Sequence, residues 1–97
     1  MKTYQSYSDP GHGWLKVPRQ KLVELGILNK VSSFSYQRKE FVYLEEDCDA
    51  SLFASAMKIA GEEWTDKGHS TRDRQSKIRS YEPFTLRFSE KFHVNII

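Results

Sequence analysis

Val31-Ser32-Ser33-Phe34-Ser35-Tyr36-Gln37-Arg38-Lys39-Glu40-Phe41-Val42-Tyr43-Leu44 decides the fold class. Residues 31–36 and 41–44 are rich in β-branched and aromatic side chains, and the charged residues 37–40 between them read as the turn of an antiparallel hairpin. Downstream, Leu52, Phe53, Ala56, Met57 and Ala60 recur at spacings of three and four, the pattern of an amphipathic helix over residues 51–60. Asp47 or Asp49 would cap its start and Gly61 would end it. Upstream, Leu15 and Val17 alternate with Trp14 and Lys16 as in a strand. Pro18 then hands over to a short helix carrying Leu22, Val23 and Leu25, closed by Gly26.

Residues 62–66 around Trp64 suggest another strand. Phe84, Leu86, Phe88, Phe92, Val94 and Ile96 share one parity, which predicts a long final strand. Whether these two segments pair with each other is left open. The order of elements is therefore β, α, β, β, α, β and a further strand. It predicts an α+β domain, a small antiparallel sheet with two helices on one face. The order permits a ferredoxin-like split βαβ arrangement with an extra C-terminal strand. Residues 1–97 read as one domain, with 1–12 a loosely attached arm and 67–80 a mobile basic loop.

A chain of 97 residues, 38% hydrophobic and 13% aromatic, can bury an ordinary core. The single cysteine, Cys48, excludes an internal disulfide and fits a reducing compartment. The first residues lack the apolar stretch of a signal peptide, and no apolar run approaches the roughly 20 residues that span a bilayer, so a cytoplasmic protein without membrane contact is expected. The overall charge of +2 says little about partners, but its distribution says more. Glu45, Glu46, Asp47 and Asp49 form an acidic knot. Within residues 67–80, five cations face the single acid Asp73, a net charge of +4.

The basic segment is the stronger candidate site. Arg72, Arg74, Lys77 and Arg79 can neutralise phosphates, and Tyr81 adds a plane on which a base could stack. The acidic knot reads first as a helix start, where carboxylates meet unpaired backbone N–H groups. It could also dock onto a basic protein surface. It is a poor calcium loop, because Leu52 stands where such a loop needs glycine, and no metal or other cofactor is expected. Cys48, among carboxylates, reads as an inert thiol. His12, His69 and His93 are scattered and lack ligand spacing, and the glycines flanking His12 read as a turn.

The segments 11–18, 25–27, 30–36, 43–53 and 76–81 (GHGWLKVP, LGI, KVSSFSY, YLEEDCDASLF and SKIRSY) carry a resemblance to a family of short proteins from bacteriophages, prophages and plasmids. The resemblance covers roughly residues 7–81 and brings no established activity with it. It implies a mobile-element accessory protein working in the host cell. Together these readings lead to a non-enzymatic protein that targets a host macromolecule, or captures a phosphate-bearing ligand such as a nucleotide or nucleic acid through the basic loop. One alternative is an inhibitor that docks its acidic knot onto a basic host protein. Another is a small hydrolase or nuclease built on His12 or His69 with a carboxylate. The unpaired edge of the tail, residues 84–97, suggests a homodimer.

Overall fold

In the computed structural model, residues 1–91 are described. The strands are β1 (Lys2–Ser8), β2 (Gly13–Pro18), β3 (Tyr36–Arg38), β4 (Phe41–Glu45), β5 (Trp64–Ser70) and β6 (Glu82–Pro83), with helices α1 (Arg19–Glu24), α2 (Asp49–Ile59) and α3 (Phe88–Lys91). The chain is an α+β protein. The strands form a single sheet in the order β5-β1-β2-β4-β3-β6. The segments β2-α1-β3 and β4-α2-β5 follow the split βαβ order, with β1 inserted between β5 and β2.

Alternation sends Leu15 and Val17 of β2, and Val42 and Leu44 of β4, to one face. There they bury with Leu22 of α1 and with Phe53 and Met57 of α2. Of the helical stripe read from the sequence, Phe53 and Met57 are core, Leu52 and Ala56 pack partly buried against it, and Ala60 is exposed. Gly26 and Gly61, at φ of 72° and 71°, close α1 and α2 in the left-handed conformation expected of them.

Four expectations need correction. Residues 1–12 are no loose arm: β1 pairs antiparallel with β2 and parallel with β5, which makes the sheet mixed. Its anchor is Tyr4, buried edge-on against Phe53 at 5.2 Å and Trp64 at 5.9 Å. The basic loop is also largely regular, since residues 67–70 complete β5 and residues 77–80 form a 3-10 turn.

The strand expected over residues 31–36 begins only at Tyr36. Asp49, in the first turn of α2, accepts the N–H of Ser32 at 3.0 Å and the hydroxyls of Ser32 and Ser35 at 2.7 and 2.5 Å, holding that stretch in turns. Asp49 therefore ties a loop down instead of capping its helix, whose N-cap Cys48 makes no side-chain cap bond.

The long final strand is the fourth correction. β6 has two residues, and Pro83 offers no N–H to extend the ladder. Arg19, 3% exposed, then draws the chain back over α1. Its guanidinium donates to both Glu90 oxygens at 2.7 Å, to Gln37 Oε1 at 3.0 Å and to the Thr85 carbonyl at 2.9 Å, so residues 88–91 coil into α3. No strand edge for a homodimer exists over residues 84–91, and Phe92, Val94 and Ile96 lie outside the described residues.

Replacing Arg19 leaves the half-buried Glu90 carboxylate without its cation and removes four hydrogen bonds, with only the Arg87 and Thr85 N–H groups still donating to Glu90 and Gln37. Arg19→Met should lower the unfolding free energy by about 3 kcal/mol in urea titration. Arg19→Lys should recover only part of that, because an ammonium cannot reach all three acceptors at once. A loss below about 1 kcal/mol for the methionine variant would contradict the central role given to this residue.

Candidate functional site

The sheet face turned away from α1 and α2 carries Gln5 and Tyr7 of β1, Trp14 and Lys16 of β2, and Tyr36 and Arg38 of β3. Phe41 and Tyr43 of β4 and Lys67 and His69 of β5 complete it. Cross-strand register brings them together: Tyr7 opposes Trp14 and His69, Lys16 opposes Tyr43, and Phe41 opposes Arg38. The 3-10 turn Lys77–Ser80 crosses part of this face, and its Ile78 buries against Trp14 and Tyr43 in a small second core.

Asp9 fixes that crossing. The carboxylate accepts the N–H groups of Gly11 and His12 at 3.0 Å, closing the β1-β2 turn, and the N–H of Ser76 at 2.9 Å. It also takes a forked pair from Arg79, Nε at 2.6 Å and Nη2 at 2.9 Å. Arg79 and these N–H donors hold the Asp9 carboxyl well below the usual carboxylate range. Gly11 lets the guanidinium come close, since a Cβ there would stand 3.0 Å from Arg79 Nη2.

Beside the turn lies a groove of about 390 Å³ lined by Tyr7, Lys16, Arg38, Lys39, Phe41, Tyr43, Lys77 and Tyr81, with Ser76 and Ile78. It has four cations and no carboxylate. Among the described residues, no ion pair joins Lys16, Arg38, Lys39 or Lys77 to an acid. Two of them lie over rings instead, Lys16 at 4.2 Å from the Phe41 centroid and Arg38 at 5.1 Å from that of Tyr81. Tyr43 is pushed up to about 12, first by burial and then by the neighbouring Tyr81 and Tyr7, so its hydroxyl stays neutral at physiological pH. The groove can hold anionic groups between cations while rings take a flat, apolar part of the same ligand.

The basic residues named from the sequence divide. Lys77 and Tyr81 line the groove. Arg79 is taken up by Asp9 and lies 5.5 Å from the Trp14 ring, a structural post. Arg72 and Arg74 are exposed outside the groove, Arg74 beside Asp73 at 3.7 Å. Sequence reading missed Lys16, Arg38 and Lys39. The visible signal was the alternation of cations with aromatics along β2 and the hairpin, which only a known register turns into one surface.

The acidic knot divides as well. Glu45 is buried, accepting from His12 Nδ1 at 3.2 Å and from the Asp47 N–H at 3.0 Å, and Asp49 is bonded to the serine loop. Glu46 and Asp47 are left exposed. His12, Glu45 and Asp47 place ligand atoms within 4.8 Å of one another, a set that could hold a metal ion, but Arg79 lines the same hollow and opposes a cation. Cys48, in that hollow too, has its thiol pushed up by desolvation and by Glu45, Asp49 and Asp47, which disfavours the nucleophilic thiolate. His69 faces Gln5 at 2.7 Å, without a carboxylate partner.

No family model, curated protein or solved structure matches this chain. Among the described residues, no helix is long and apolar enough to cross a membrane.

The Asp9 clamp has a pH signature. A carboxyl whose folded pKa is lowered contributes stability that is complete above its unfolded value, about 3.9, and is lost as pH falls through the folded value. Wild-type melting temperature should therefore drop below about pH 4. Asp9→Asn should melt lower at neutral pH, and its deficit should shrink progressively on acidification. A deficit that stays constant between neutral and strongly acid pH would exclude Asp9 as the ionised clamp.

Proposed function

We propose that this chain is a non-enzymatic binding protein whose ligand combines phosphates with a flat aromatic group, the chemistry of nucleotides and nucleic acids, and that the ligand lies in the groove on the open sheet face. The observation that carries the reading is the collection of four cations without acidic partners around the rings of Tyr7, Phe41, Tyr43 and Tyr81. Lys16 is half-buried without an acidic partner among the described residues, whereas Arg19, Lys21 and Arg79 each have a carboxylate; Arg38, Lys39 and Lys77 are exposed and give the groove a positive rim. An accessory role for a mobile element, in a host cytoplasm where such ligands are abundant, is part of this proposal.

Lys39 adds support. It occupies the two-residue turn between β3 and β4 at φ 55°, a conformation that favours glycine, yet a long cation stands there and reaches the groove. Lys39→Gly should raise unfolding free energy by about 0.5–1 kcal/mol while weakening ligand binding. A variant that gains stability at no loss in affinity would remove Lys39 from the site.

Fluorescence anisotropy with a labelled uridine trinucleotide tests the groove. Lys16→Gln combined with Arg38→Gln should weaken binding at least tenfold. It should also flatten the dependence of log affinity on log salt by about 0.7 for each lost phosphate contact. Unchanged affinity and slope in a variant that keeps its urea midpoint would sink the reading. Arg79 is unsuitable for this test, since its loss releases the Asp9 clamp and with it a wall of the groove.

A further inference from the structure

The groove is one part of a longer stripe. From Arg38 over the Tyr81 ring at 5.1 Å, contact passes to Tyr43, 5.1 Å from Tyr81, then to Tyr7 at 6.4 Å, and finally to His69, stacked on Tyr7 at 5.0 Å with 21° between planes. These residues belong to β3, β4, β1 and β5 and to the segment after the 3-10 turn, so the rings run across the sheet from β3 to its β5 edge. The far end is built like the near end. His69 is exposed, its Nε2–H donates to Gln5 Oε1 at 2.7 Å, and Lys67, exposed two residues earlier on the same strand face, has no ion pair among the described residues.

We propose that the ligand is a single-stranded nucleic acid laid across the whole stripe, with Lys67 and His69 forming a second contact station beyond the groove. This rests on the groove reading above and extends it from ligand chemistry to ligand length. Four strand spacings of about 4.8 Å separate β3 from β5, close to 19 Å. At about 3.4 Å per stacked nucleotide, that span takes five or six nucleotides, more than a mononucleotide or a trinucleotide can cover. Tyr43 is buried and backs the row, while Tyr81, Tyr7 and His69 keep surface on which the unpaired bases of a single strand can stack; a duplex keeps its bases stacked on each other inside the helix. An acidic protein segment would match the cations but makes no use of a row of rings spanning the sheet.

The test compares labelled uridine trimer and decamer, with the thymidine decamer as the DNA counterpart, on wild type and on Lys67→Gln/His69→Ala. Wild-type affinity should rise at least tenfold from trimer to decamer, and the double variant should lose most of that gain. Both replaced side chains are exposed, and an unchanged urea midpoint confirms the fold. A decamer carrying 4-thiouridine at each end should photocrosslink to peptides from both residues 36–43 and residues 64–70. Equal affinity for trimer and decamer, or crosslinks confined to residues 36–43, overturns the stripe and leaves the groove reading standing. Failure to bind any oligonucleotide removes both. Tighter binding of a poly-glutamate peptide than of the decamer, with the same sensitivity to Lys67→Gln/His69→Ala, overturns the proposal in favour of an acidic protein partner.

Discussion

The ion pair between Asp9 and Arg79 is the constraint on which the open face depends. A strand-rich sheet with helices on one side leaves its other side to solvent unless something crosses it. Here the crossing segment, residues 71–81, has only Ile78 fully buried. One apolar side chain is a weak anchor. The carboxylate of Asp9 supplies the rest by accepting five hydrogen bonds, two that close its own turn and three that reach Ser76 and Arg79. Positioned this way, Lys77 and Tyr81 become a wall of the groove. A neutral side chain at position 9 could not serve all five donors.

The clamp also accounts for local sequence that otherwise reads as mere punctuation. Gly11 leaves room for the guanidinium, and Gly13 leaves room for Glu46, whose Oε2 would lie 2.5 Å from an added Cβ.

What was legible in the sequence follows from the range of the forces involved. The alternation at Leu15 and Val17, the stripe at Phe53 and Met57, and the stops at Gly26 and Gly61 are local patterns, and they yield the α+β class and most of the split βαβ order. The misreadings trace to three buried polar residues whose partners are distant in sequence. Asp49 reaches back 17 residues to Ser32, Asp9 reaches 70 to Arg79, and Arg19 reaches 71 to Glu90. Each overrides a local preference: β propensity at residues 31–35, disorder at the start and in the basic loop, and strand parity in the tail. β1 was missed because it is polar apart from its tyrosines and gains its place by pairing on both edges. The basic segment reaches the open face through Lys77 and Tyr81. Lys16, Arg38 and Lys39 sat unremarked in elements read only for their apolar partners.

Charge arithmetic fails on this protein for the same reason. A total of +2 hides two populations of cations. On the helical side and at the clamp, Arg19, Lys21, Arg79 and Arg87 each have a carboxylate within 2.9 Å, and they hold the tail, the helix ends and the crossing segment in place. On the open face, Lys16, Arg38, Lys39 and Lys77 have rings or solvent instead. Had the thirteen acidic residues been spread evenly, some would oppose these cations across the strands, where opposite charges stabilise a sheet. Glu45 is the one acid that β4 sends to this face, and it is turned to His12 and the Asp47 N–H. Asp9, Glu45, Asp49, Glu62 and Glu90 thus serve to hold the fold together, and the face between the strands is left positive, aromatic and half-covered.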